Sequence, residues 1–181
     1  MTNLQLVQVV LQSVSVAVVV VGFFVAVRQL RLVMRSFVDL HDWNRRKAAQ
    51  DACHEWREYA EDAVLLENTF RFRDSHGLVE LSKLLSTFNT DTKAQASLHR
   101  ILNYFEAIAN GTRNGVFDEP IIRDAFCGVF DLHVQRFGAY IEYRRSHGAP
   151  KAWIEMQDLA EKWQRDDRGR IQRDSTGAVS S

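Results

Sequence analysis

The sequence specifies an all-α protein: one N-terminal transmembrane helix continuing into a cytoplasmic bundle of about four or five helices. Three observations lead there. The first 27 of 181 residues contain no charged side chain. Beyond them, apolar residues recur at spacings of three and four, the period of an amphipathic helix. Only two prolines occur, Pro120 and Pro150, so long helices run without the commonest breaker.

The anchor comes first. From Leu4 to Val27 the run is dominated by Val, Leu and Phe. About 20 apolar residues match the hydrocarbon thickness of a bilayer. Gln8, Gln12 and Ser15 share helical spacing. They form either a polar stripe that pairs anchor helices or a segment lying in the outer interface, which is the simpler account. A cleaved signal peptide fits poorly. No basic segment precedes the run, and the run outlasts the usual apolar region of about 7–15 residues. Val27-Arg28-Gln29-Leu30-Arg31 follows it instead of a small-x-small site.

Orientation follows from charge. Arg28, Arg31, Arg35, Arg45, Arg46 and Lys47 flank the run on its C-terminal side, against Asp39 and Asp42. An excess of Lys and Arg marks the cytoplasmic side, so the N-terminus is expected outside and the body in the cytoplasm. Arg28, Arg31 and Arg35 share a helical face and can meet anionic headgroups. Any basic flank does this without lipid specificity.

Four segments result: a transmembrane anchor (1–27), a basic juxtamembrane helix (28–47), a cytoplasmic helical domain (48–165) and a disordered tail (166–181). The tail is assigned because it is polar and short of apolar anchors. Residues 48–181 carry 17 basic and 21 acidic side chains. A slightly acidic body lacks the clustered basic face that nucleic acid requires, so no nucleic-acid partner is expected. Cys53 and Cys127 form no C-x-x-C motif and read as free thiols of a reducing compartment.

The long first helix carries two apolar seams. Val27, Leu30, Met34, Phe37 and His41 form one; Ala49, Ala52, Trp56, Tyr59, Ala63, Leu66 and Phe70 form the other, shifted by one residue. The shift predicts a kink or short break around His41 to Asn44. Either seam can meet the domain's own helices or another copy of the chain. Arg71 to Gly77 reads as a loop. Leu78, Leu81, Leu84, Leu85 and Phe88 make a short amphipathic helix.

Asn89-Thr90-Asp91-Thr92 is a capping cluster that starts the next helix. It runs to about Thr112, with Leu98, Ile101, Leu102, Phe105, Ile108 and Ala109 inward. Gly111 and Gly115 end it by supplying positive φ. Asp118-Glu119-Pro120 opens the following helix: a cap, an acid at the positive dipole end, and a proline that needs no amide partner. Ile122, Phe126, Val129, Phe137 and Ile141 line its inner face to about Ser146. Gly148 stops it, and Pro150 opens the last helix with Trp153, Met156, Ala160 and Trp163 on one side.

The chemistry is sparse. No P-loop, dinucleotide fingerprint, nucleophile elbow or H-E-x-x-H motif is present. His54 and Glu58 at i, i+4, beside Cys53, make at most half a metal site, since zinc needs three or four ligands. No metal or cofactor is therefore expected. His133 on an apolar face reads as a satisfied core histidine. His41, near the proposed break, offers a pH-sensing position and nothing more. His99, Asn103, Glu106, Asn110 and Arg113 form the densest polar stripe. It lines a pocket or interface, or it is the solvent face of an amphipathic helix, which is the preferred account. Asp118 and Glu119 are adjacent and do not face each other, so capping explains them better than acid/base work.

The segment Ile101-Leu102-Asn103-Tyr104-Phe105-Glu106, with Gly111 and then Gly115-Val116-Phe117-Asp118-Glu119, resembles a bacterial domain-of-unknown-function family of small membrane-anchored helical proteins. Its mark is an L-N-Y-F-E helix followed by a G-x-x-D-E helix start. Pro120 departs from the acidic residue of that pattern. The resemblance implies a bacterial inner membrane and singles out Asn103, Tyr104, Phe105, Glu106, Gly111, Gly115, Asp118 and Glu119. It carries no activity. A weaker likeness, to membrane-anchored proteins of phage abortive infection, rests on the Leu102-Asn103-Tyr104-Phe105 segment.

The expected function is a non-enzymatic, membrane-tethered interaction or regulatory module. Its partners would be the bilayer, another membrane protein, or copies of itself through the long helix. The alternatives are a phage-defence effector acting on membrane integrity, and an enzyme built around Asn103, Glu106 and Asp118.

Overall fold

The computed structural model describes the backbone of residues 3–72 and 78–177, and the side chains of 21–72 and 78–169. All regular structure among the described residues is helical. The order is α1 (Asn3–Glu55), a 3-10 turn (Trp56–Tyr59), α2 (Ala60–Phe70), α3 (Leu81–Thr90), α4 (Thr92–Arg113), α5 (Glu119–Ser146) and α6 (Ile154–Gly177). The chain divides into two compact units, Met1–Asn44 and Arg45–Ser181.

Within the first unit the helix presents large apolar side chains to its surroundings. Phe23 is 70% and Phe24 77% exposed, and Leu30, Met34, Phe37 and Trp43 are exposed as well. Arg28, Arg31 and Arg35 are exposed on the same helix. Among the described residues, no helix is long and apolar enough to cross a membrane. Most of the charge-free run from Leu4 lies outside the residues whose side chains are described.

No break occurs between His41 and Asn44. The helix continues to Glu55 and changes to 3-10 geometry at Trp56–Tyr59. The one-residue shift between the two seams therefore does not interrupt it. The break falls where Trp56 stacks on Tyr59 and Tyr104 (centroids 5.9 and 5.7 Å) and tilts against Phe105 at 4.9 Å.

The second unit is organised around α4, which packs against α2, α3, α5 and α6. Leu98, Ile101, Leu102 and Phe105 are fully buried along it. Each such side chain contributes roughly 1.5–3 kcal/mol of burial. Ala49 and Ala52 bring the end of α1 into this core, so the second seam packs inside the chain. From α5 come Ile122, Phe126, Phe130, Phe137, Tyr140 and Ile141; from α6, Met156, Leu159, Ala160 and Trp163.

Local rules set most boundaries. Arg71 closes α2 in the left-handed region (φ 50°), its amide donating to the Glu67 carbonyl at 2.8 Å. Phe72 then turns into the core beneath the Arg136 guanidinium, 4.2 Å from its ring centre. Leu78 is 67% exposed and α3 starts three residues later than expected, at Leu81. Asp91 caps α4 by accepting from the Lys93 and Ala94 amides at 3.0 Å. Asp118 caps α5 by accepting from Ile121, with Pro120 in the first turn. Gly148 leaves α5 at φ 103°.

The last helix differs at both ends from the sequence expectation. It opens at Ile154 instead of Pro150, after Trp153 adopts φ 53°. It runs to Gly177, past residue 165, where the tail was expected to begin. Arg123 of α5 extends the helical contact by reaching the Asp167 carboxylate at 2.5 Å and Asp166 at 3.7 Å.

Candidate functional site

Three residues of the α4 polar stripe, Asn103, Glu106 and Arg113, hold the start of α6, while Asn103, Asn110 and Arg113 also remain exposed. The His99 Nε2 lies 2.7 Å from the Tyr140 hydroxyl. The Trp153 indole N–H donates to Asn103 Oδ1 at 2.8 Å. The Glu106 carboxylate accepts the amide hydrogens of Glu155 at 3.3 Å and Met156 at 2.8 Å. Arg113 forms an ion pair with Glu155. Asn110 accepts from the Asn114 side chain at 2.8 Å and supports the end of α4 itself.

These contacts satisfy groups that a helix start leaves open. The first amides of α6 have no partner in their own helix, and Glu106 supplies one from a different helix. Its negative charge also sits at the positive end of the α6 dipole. Trp153, a bulky residue at positive φ, carries a conformational cost of about 1–3 kcal/mol. Burial of its ring and the bond to Asn103 hold it there. Burial raises the Glu106 pKa, with the two amide bonds pulling the other way. Burial, helped by the Arg144 charge, lowers that of His99.

The second half of the motif also binds elements together. Asp118 lies 3.8 Å from Arg46 Nε, and its amide donates to the Arg45 carbonyl at 3.3 Å. Glu119 accepts from Lys162 Nζ at 2.5 and 2.7 Å and from the Trp163 indole at 3.0 Å. Burial pushes the Glu119 pKa up, but the bonds from Lys162 and Trp163 outweigh it and the net shift is downward. Gly115 has the expected positive φ of 70°. Gly111 does not need it. Gly111 lies inside α4 with the Phe117 ring against it, and a Cβ there would stand 2.3 Å from a ring carbon. It is glycine for lack of room.

Phe105 and His133 belong to the aromatic core, 5.1 Å apart. His133 Nδ1 lies 2.7 Å from the Val129 carbonyl. Burial lowers its pKa to about 4, helped by the Arg136 charge. The imidazole is thus neutral and donates to that carbonyl.

A groove of about 600 Å³ opens on another side of α4, between it and the end of α1. Ala48, Asp51, Ala52 and Glu55 form one wall; Arg100, Asn103, Tyr104 and Ala107 form the other. Tyr104, only 6% exposed, donates its hydroxyl to the Ala52 carbonyl across the floor. Burial and the neighbouring Glu55 charge raise its pKa. Arg100 Nη1 sits 3.1 Å from Asp62, which also accepts from Ser97 at 2.6 Å, and its guanidinium lies over Tyr59 at 5.4 Å. Asp51 and Glu55 have no hydrogen-bond or ion-pair partner among the described residues.

The motif residues thus divide. Asn103 and Tyr104 border the groove, while Glu106, Asp118 and Glu119 are committed to internal bonds. Sequence reasoning missed Asp51, Glu55 and Arg100, and placed Tyr59 only in an apolar seam. Their signal was only the i, i+4 carboxylates beside Ala48 and Ala52. Among the described residues, no three His, Cys, Asp or Glu side chains gather to hold a metal ion. His54 is exposed.

A family model described as a domain of unknown function (DUF4760) matches residues 16–163. The chain belongs to that family. Neither a curated protein nor a solved structure matches it.

Proposed function

We propose that this DUF4760 protein is a non-enzymatic interaction or regulatory module tethered to a bacterial inner membrane, with its helical body in the cytoplasm. One observation carries the reading. Between Val21 and Trp43 a single helix exposes twelve large apolar side chains, and it continues a sequence run without charge. Such a surface marks a membrane or protein contact. Arg28, Arg31 and Arg35 follow the run as a basic flank. The body supports an interaction role. Its motif acids Glu106 and Glu119 are occupied by bonds to α6, and its open surface is a groove.

The test is alkaline carbonate extraction of membranes from expressing cells. The full chain should stay in the pellet, and Val18→Arg with Val20→Arg should move it to the supernatant. Wild-type protein in the supernatant would overturn the tether. A C-terminal green fluorescent protein should fluoresce, whereas an active C-terminal alkaline phosphatase would reverse the orientation. Membrane depolarisation on overexpression would replace the module by the phage-defence effector.

A further inference from the structure

We propose that the groove between the end of α1 and α4 receives a basic amphipathic helix of a partner protein. This deepens the interaction-module reading and rests on it. Three features of the groove define the occupant.

Its walls are two helical faces. Positions 48, 51, 52 and 55 of α1 oppose 100, 103, 104 and 107 of α4, the i, i+3, i+4, i+7 pattern that a third helix meets. At about 1.5 Å per residue the walls run roughly 10–12 Å, about two helical turns. Ala48 and Ala52 on one wall and Ala107 on the other leave room for a backbone to approach to the usual interaxial distance of about 8–10 Å.

Its unsatisfied charge is negative. Arg100 is paired with Asp62 and lies over the Tyr59 ring, and Asn103 is engaged by the Trp153 indole. The Asp51 and Glu55 side chains, four residues apart on one edge, form no salt bridge or hydrogen bond among the described residues. A partner helix with Lys or Arg at i and i+4 on one edge would supply the counter-charge, and charge complementarity of this kind sets register and partner choice.

Its floor is aromatic and apolar. Tyr59, Tyr104 and Ile108 lie beneath the rim, so the occupant needs an apolar stripe beside its cations. A second copy of this chain fits worse, because it brings the same unpaired carboxylates into register.

The experiment uses the full-length protein in zwitterionic detergent micelles. The probe is a fluorescent helical peptide of Ala and Leu with lysines at i and i+4; its counterpart carries glutamates. Anisotropy should show binding of the lysine peptide. Asp51→Lys with Glu55→Lys should weaken it at least about tenfold and should make the glutamate peptide bind, which also establishes that the variant is folded. Three results would overturn the proposal: no binding of the lysine peptide, equal binding of a scrambled peptide of the same composition, or a dimer of the protein itself that the double variant dissociates. Carbonate extraction reads the tether separately, so failure here leaves that reading standing.

Discussion

The Glu106 carboxylate on α4 closes the first turn of α6 by accepting the Met156 amide hydrogen at 2.8 Å. The two residues are 50 apart in sequence, yet their geometry is that of a helix cap. Removing a capping acceptor costs about 0.5–2 kcal/mol. Glu106→Ala should therefore lower stability by that amount in denaturant unfolding and speed hydrogen exchange at Glu155 and Met156. Glu106→Gln keeps one acceptor oxygen and should lose less. Unchanged exchange in the alanine variant would remove the cap from the account. The enzyme alternative expects the opposite of Glu106→Ala: a fully stable fold without activity.

His133 makes the fold acid-sensitive. Its folded pKa is lowered to about 4 by burial, against about 6.5 when unfolded. Between those values the unfolded chain binds the extra proton, so stability rises with pH across the window and is lost as pH falls through it. The difference corresponds to something on the order of 3 kcal/mol. Urea unfolding at pH 7 and pH 4.5 should show a large drop in the wild type, and His133→Phe should flatten much of it. A pH response unaltered by that substitution would assign the sensitivity to other groups.

Tyr104 links the groove floor to the end of α1. Tyr104→Phe removes the hydroxyl that bonds the Ala52 carbonyl while keeping the ring against Tyr59 at 4.5 Å. The expected cost is about 1–2 kcal/mol, since a largely buried carbonyl loses its side-chain donor. Thermal unfolding would register this as a lower Tm with the helical signal intact.

How far the sequence revealed this molecule depends on how local each cause is. The starts of α4 and α5 were legible because Asp91 and Asp118 bond amides two or three residues away. The apolar faces were mostly legible from spacing, although Phe130 and Tyr140 escaped. The break at Trp56–Tyr59 was not, since no glycine or proline marks it. The bonds of His99, Asn103, Glu106 and Arg113 were not legible because their partners lie 41 to 50 residues downstream. Nothing local singled out Asp51 and Glu55, because the α4 face that lines the groove with them is distant in sequence.

Gly111 and Gly115 carry the last prediction, because the same substitution acts on each for a different reason. Glycine to alanine inside a helix ordinarily stabilises by roughly 0.5–1 kcal/mol. At Gly111 the sign should reverse. A new Cβ would lie 2.3 and 2.6 Å from two Phe117 ring carbons. The Val116 and Phe117 amides both donate to the Gly111 carbonyl and fix the backbone of the turn, so the ring can make room only by leaving its present rotamer. Overpacking of this kind costs about 1–3 kcal/mol. At Gly115 space is open and only the φ of 70° opposes alanine, so a loss of about 1 kcal/mol is expected. Phe117→Leu should recover part of the Gly111→Ala loss and none of the Gly115→Ala loss. A double-mutant cycle checks this, with non-additivity expected only for the pair in contact. Additive losses at Gly111 and Phe117 would show that the ring relaxes freely and that Gly111 is glycine for some other reason.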